Sequence, residues 1–218
     1  IGALAYFLQS WSLPAAILLL LFFNFLFEKG YLDPRNKAYG LEYPNNDLRP
    51  KYDPGSLNAI CSADILQKDK EQMISVLNKW KTRQDSAKPL MIFINVSGGG
   101  LRSSAFTMHA MQKLDSMLHG KLMKKTFLIS GASGGMLAAT YYRELYRRKI
   151  HGASIHLSSP QYLNNITGDL LNSVFSSMMA RDLMASSLKF SVGNNKYIKD
   201  RGYAFEKKLS ENTNDILN

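Results

Sequence analysis

The chain has 218 residues, with 27 Lys and Arg against 17 Asp and Glu, a formal net charge of +10, and a single cysteine, Cys61. That length fits one ordinary domain plus a short extra module, and one cysteine excludes an intramolecular disulfide, which suits a reducing compartment. The basic balance allows an anionic partner; with no zinc-finger spacing and no RNA-binding signature, nucleic acid is set aside, leaving a basic face against anionic lipid or a plainly solvated one.

In chain order, Ile1 to Phe27 carries no charge. As one helix, this run of roughly 27 residues would be roughly 40 Å long, enough for a hydrocarbon core of roughly 30 Å. Trp11 and Tyr31 are of the types that favour membrane interfaces. Pro14 either kinks one long helix or opens a second after a break at Gln9 to Ser12, and Ala15 to Phe27 alone is short for a crossing. A transmembrane segment is expected over 1–30. A signal peptide fits less well, because no small-residue cleavage site follows Phe27, and a buried core helix is the other alternative. Lys29, Arg35, Lys37, Arg49 and Lys51 follow the run, and such an excess favours the cytoplasmic side, so the expected location is the membrane with the catalytic part in the cytoplasm.

Tyr31 to Ser56 is rich in Pro, Asn, Asp and Gly, and a linker is expected over 31–62. Ile65, Leu66, Met73, Val76, Leu77 and Trp80 are spaced for an amphipathic helix over Ala63 to Arg83 that packs on the domain. The remaining domain is expected to run over 63–218. The chain does not begin with Met and its last residues, Ser210 to Asn218, are polar, so a piece of a longer protein is expected.

Pro89 to Val96 (PLMIFINV) has the length and apolarity of a strand buried on both faces. It runs into Ser97-Gly98-Gly99-Gly100-Leu101-Arg102, after which Phe106, Ala110, Leu114 and Met117 give helical spacing over Ser103 to Leu118. Strand, glycine loop and helix aim free backbone N–H groups at an anion. No Gly-Lys-Ser/Thr follows, so this is not a Walker loop, and Ser103 stands where a dinucleotide fingerprint needs its third glycine. A glycine loop that stabilises an oxyanion remains, beside the plainer reading of a tight turn.

Thr126 to Ser130 (TFLIS) is a second short strand, followed by Gly131-Ala132-Ser133-Gly134-Gly135 and a helix over Met136 to Arg148. A G-x-S-x-G between strand and helix is the setting of a nucleophile elbow, in which a sharp turn projects the serine hydroxyl. Here it lies about 33 residues after the strand–glycine loop–helix unit, a far more specific pairing than the pentapeptide alone.

Together, SGGGLR at Ser97 to Arg102 and GASGG at Gly131 to Gly135 resemble the patatin and cytosolic phospholipase superfamily, over roughly Lys88 to Arg148. The resemblance implies an α/β fold, a three-layer patatin-like domain with a mainly parallel central sheet, here expected to follow a transmembrane helix. It implies a Ser–Asp dyad that hydrolyses acyl esters of lipids with no cofactor. Ser133 would attack the ester carbonyl. Gly99 and Gly100 would give N–H groups to the oxyanion, Gly98 would shape the turn, and Gly131 and Gly135 would build the elbow. Arg102 would hold the loop or meet a substrate phosphate. The expected function is a membrane-anchored lipid acyl hydrolase of the phospholipase or lysophospholipase type. Its partners would be membrane phospholipid or another lipid ester, and the bilayer itself. An acyltransferase using the same serine and an inactive binding module are the alternatives.

One departure stands out. The superfamily's base is an Asp in an Asp-Gly-Gly or Asp-Gly-Ala motif, and no Asp-Gly dipeptide occurs in this chain. Asp169, Asp182 and Asp200 follow Ser133 without that context, so the dyad Asp is expected past residue 218. A Ser–Asp–His triad would likewise need residues past the end, because His151 and His156 precede Asp169 and no histidine follows it. His109 and His119 are expected to pack or face solvent, and no metal site is indicated by the spacing of the histidines and Cys61. Leu170 to Leu188, rich in Met, Ser and Leu, fits core packing or an acyl-pocket helix, and Asn165-Ile166-Thr167 is a glycosylation sequon that matters only outside the cytosol.

Overall fold

The computed structural model describes residues 6, 9–29, 51–180 and 188–217. They fall into two compact units, one combining 1–42 with 170–208 and the other combining 43–169 with 209–218.

The first unit contains α1 (Ser12–Glu28), preceded by a 3-10 turn at Gln9–Trp11. The transmembrane segment expected over 1–30 is overturned, and with it the membrane anchoring, the membrane location and the orientation read from its flank. Among the described residues no helix is long and apolar enough to cross a membrane. The charge-free run does not form one rod: the 3-10 turn interrupts it, and the α-helix starts only at Ser12. Pro14 then lies in the first turn, where its missing N–H has no intrahelical partner to lose. At 17 residues, α1 is about 26 Å long, short of the roughly 30 Å of a hydrocarbon core.

The second unit holds the residues of interest. After α2 (Pro54–Ile60), capped by Asp53, comes α3 (Ala63–Lys81), which forms where the spacing predicts a helix. It packs less than expected: none of its residues is buried, and Ile65, Leu66, Met73 and Val76 are exposed. Its contact with the rest runs through Trp80, whose ring meets Phe127 edge-on at 6.2 Å. Then follow β1 (Ile92–Val96), α4 (Gly100–Met117), the short α5 (Leu122–Lys125), β2 (Thr126–Gly131), α6 (Ser133–Ile150) and α7 (Pro160–Ile166).

β1 and β2 are parallel and pair from Ile92 opposite Thr126 to Val96 opposite Gly131, with an irregularity between Ile92 and Phe93. Their connection through α4 is the crossover that parallel neighbours require. α4 and α6 lie along each other and build the core: Met108 and Met111 from α4 meet Ala138, Ala139, Tyr141, Tyr142 and Leu145 from α6, with Leu122, Leu157, Tyr162 and Ile166 around them. These residues recur three and four apart, the stripe that faces a core in an amphipathic helix. Tyr141 and Tyr162 meet edge to face at 6.1 Å.

The three-layer domain with a mainly parallel central sheet is likewise overturned. The described residues form mixed α and β structure in which helix predominates, with short strands in two separate two-stranded sheets. The β1–β2 sheet leaves one face uncovered, with Phe93, Asn95, Leu128 and Ser130 exposed on it. The run PLMIFINV reads as buried on both faces because it is apolar at nearly every position, yet burial alternates along β1.

In the first unit, α8 (Leu171–Ala180) covers part of the predicted Leu170 to Leu188 segment, and 181–187 lie outside the described residues, as do 31–50 of the expected linker. An antiparallel hairpin, β3 (Lys189–Val192) and β4 (Asn195–Ile198), turns at Gly193-Asn194, where Gly193 takes the positive φ of 58° that a two-residue hairpin loop needs. The last helix, α9 (Arg201–Asn212), begins in this unit and ends in the other.

Candidate functional site

Both strands end at the same level, and each delivers its loop from that end. Val96 pairs with Gly131, and the Ala132 N–H donates to the Val96 carbonyl at 3.2 Å, one residue past the sheet. The carboxyl ends of parallel strands are where open α/β sheets bind ligands. The two loops that carry the sequence motifs therefore emerge side by side.

Ser133 is the first residue of α6 and has φ of +51°, one of four non-glycine residues in the left-handed region among those described. Such a backbone costs a non-glycine residue of order 1–3 kcal/mol and persists only where its surroundings enforce it. Here the glycines around it do so. Gly131 has φ of +157°, and a Cβ there would run into the Val96 carbonyl and side chain. A Cβ on Gly134 would strike the Gly100 carbonyl, and one on Gly135 the Ser97 carbonyl. The elbow is thus held against the glycine loop by close backbone approach on both sides of the serine. Ser133 itself is exposed, and no side chain among the described residues hydrogen-bonds its Oγ.

The glycine loop faces this serine. A Cβ on Gly98 would lie 3.2 Å from Ser133 Cβ and 3.9 Å from its Oγ. Gly99 is the N-cap of α4 with φ of +148°, and Gly100 opens the helix at +59°. Neither α4 nor α6 has a side-chain cap, so no side chain claims their first-turn N–H groups at the two adjacent N-termini. Unclaimed amides and two positive helix ends near one hydroxyl suit a developing oxyanion.

Arg102 sits exposed in the first turn of α4. A cation there opposes the helix dipole and gains nothing from it. Its charge instead adds to the positive end of α4, the sign that meets an anionic oxygen or a phosphate.

Of the sequence-predicted residues, Ser133, Gly98, Gly99, Gly100, Gly131 and Gly135 come together, with Arg102 one turn into α4. Gly134, Ser103 and Ser104, to which the sequence assigns no role in the site, also belong to it. Ser103 Oγ donates to the Ser97 carbonyl at 2.5 Å, and the buried Ser104 donates to the Gly134 carbonyl at 2.8 Å. The doubled glycine after the serine was the available signal for Gly134, and the adjacent serines after the glycine loop were the signal for the other two.

Among the described residues no histidine hydrogen-bonds Ser133. His151 caps the far end of α6, about 27 Å away along the helix axis. His109, His119 and His156 are exposed. Asp169 is exposed and accepts a hydrogen bond at its main-chain carbonyl from Asn212, while Asp200 caps α9 by accepting from the Tyr203 N–H at 3.0 Å. Asp182 lies outside the described residues. Among the described residues no group of His, Cys, Asp and Glu is arranged to hold a metal ion, and Cys61 is free and exposed.

Compared with protein-family models, with curated proteins and with solved structures, the chain finds no match in any of the three.

Proposed function

We propose that the chain carries the nucleophile and oxyanion site of a serine acyl-ester hydrolase. The observation that supports this is the meeting of a strained, exposed Ser133 with the Gly98–Gly100 loop at the paired N-termini of α4 and α6. A tight turn needed only for packing gives no reason to hold a serine at positive φ, exposed, beside a glycine loop and two uncapped helix N-termini.

In this reading Ser133 Oγ adds to the ester carbonyl carbon while its proton passes to a general base. The carbonyl oxygen gains the negative charge and is met by the loop N–H groups. Collapse expels the alcohol, which takes up the proton, and leaves an acyl-serine. Water then repeats the addition and releases the carboxylic acid. A free serine hydroxyl is a poor nucleophile at neutral pH, so a base is required. The resemblance to the patatin superfamily assigns that role to an Asp in an Asp-Gly-Gly or Asp-Gly-Ala motif past residue 218. The same resemblance, with the net charge of +10, favours a lipid ester as substrate. The membrane span no longer contributes to that choice.

The test uses full-length protein and a fluorophosphonate probe. Labelling at Ser133 and hydrolysis of long-chain acyl esters are expected, with both lost in Ser133→Ala at unchanged thermal stability. Labelling that survives Ser133→Ala refutes the reading, and hydrolysis confined to short soluble esters refutes the lipid substrate.

A further inference from the structure

We propose that Ser104 is a positioning residue that clamps the oxyanion loop to the nucleophile elbow, with Ser103 as its second fastening; the catalytic half of this rests on the hydrolase reading. The adjacent serines of α4 meet the adjacent glycines of α6. Ser104 Oγ donates to the Gly134 carbonyl at 2.8 Å and lies 3.3 Å from the Gly100 carbonyl, so one hydroxyl bridges the residue after the nucleophile and the last glycine of the loop. Ser104 is almost fully buried, at 2% exposure, so water does not compete for this bond. Ser103 Oγ closes the loop on itself through the Ser97 carbonyl, and this same carbonyl lies where a Cβ on Gly135 would go.

The arrangement answers a difficulty that the loop poses. Three consecutive glycines have the greatest conformational freedom of any backbone. Donors to an oxyanion stabilise a transition state only if they are already aimed. Without outside restraint, Gly98–Gly100 would lose that aim. Ser103 fixes the loop's entry at Ser97, and Ser104 fixes its exit at Gly100 while tying that exit to α6. In dinucleotide-binding loops the third glycine permits close helix packing. Here a serine at that position, Ser103, fastens the loop by hydrogen bonding.

Ser104→Ala removes the hydroxyl with little loss of volume, and Ser104→Cys fills the site with a bulkier side chain that is a poor donor. Hydrogen exchange of the full-length protein, measured without substrate, is expected to rise at least about tenfold in both variants at Ser103 and Met136, whose N–H groups bond the Gly99 and Ala132 carbonyls at the start of each helix. The Met108–Leu114 segment of α4 serves as the control and stays as in wild type. With active sites titrated by fluorophosphonate, kcat per site is expected to fall about tenfold with KM within about twofold. That is less than the roughly 10²–10³ lost when a donor is removed outright. Exchange within about twofold of wild type overturns the clamp, as does wild-type behaviour of Ser104→Cys, which would make volume the operative property. Faster exchange with unchanged kcat per site also overturns it, because the loop then needs no holding. If wild-type protein takes no label at Ser133, the hydrolase reading falls with the catalytic half, and the exchange data separate that failure from a failure of the clamp.

Discussion

Val96 and Gly131 sit opposite each other at the last rung of the parallel ladder, and the space a side chain on Gly131 would need is taken by the Val96 carbonyl and Cγ2. This pairing sets both motif loops at one height. It makes Gly131 the position where sheet geometry and elbow geometry meet.

Gly131→Ala is expected to destabilise the protein by at least about 1–3 kcal/mol from the positive φ alone, with the clash against Val96 added. A urea titration followed by far-ultraviolet circular dichroism measures the change. A midpoint equal to wild type would show that strand end and elbow are not in register.

Gly134→Ala is expected to push α4 and α6 apart at their N-termini, because its Cβ has no room beside the Gly100 carbonyl and Ser104 Oγ. Both stability and fluorophosphonate labelling should drop. Gly120→Asn is the matched control: its φ is +77°, nothing lies near a Cβ there, and Asn tolerates that conformation. A thermal midpoint close to wild type is expected for Gly120→Asn alone.

Tyr142→Phe is expected to leave stability unchanged or raise it by up to about 1 kcal/mol. The Tyr142 hydroxyl is buried without a hydrogen-bond partner. Burial pushes its phenol well above the ordinary range, and the Asp115 charge beside it adds to this without a well-formed hydrogen bond. Tyr141→Phe should behave oppositely and cost about 1 kcal/mol, since it deletes the 3.2 Å bond from Asn165 Nδ2 to Tyr141 Oη. Paired denaturant titrations separate the two.

Acid should expose the ion pairs on α6. Hydrogen bonds from Arg147 hold the Glu144 carboxyl down at about 2, with Arg148 helping and burial opposing. The folded value is depressed, so the contribution is fully present above the ordinary glutamate range and is lost as pH falls through about 2. Glu144→Gln and wild type should therefore converge in urea midpoint near pH 2 and differ most above about pH 5. Both arginines are more than a third exposed, which limits the difference to about 1 kcal/mol or less.

The punctuation of this chain was easy to read and its layering was not. Glycine clusters at Gly98–Gly100 and Gly131–Gly135 mark strand-to-helix turns by composition, and the strands and helices around them form where expected. Both helices begin three residues earlier than the spacing predicts, at Gly100 and Ser133, because close backbone contacts hold residues that are poor helix formers. The covering of the sheet was illegible: Phe93 and Leu128 are as apolar as their half-buried neighbours, and only the tertiary arrangement leaves them outside. Of the two readings of Pro14, the break at Gln9 to Ser12 is the one that forms, as a 3-10 turn over Gln9–Trp11, and the length counted from Ile1 runs through it. The Ser103 and Ser104 bonds were hidden because they join segments about 30 residues apart or close a loop on itself.

The outward Phe93 and Leu128 have a practical bearing on bench work. Directly paired across the two strands and 60% and 50% exposed, they form an oily spot that sulfate and similar salting-out agents will press against its copies. Threonine at both positions would remove this patch from the sheet.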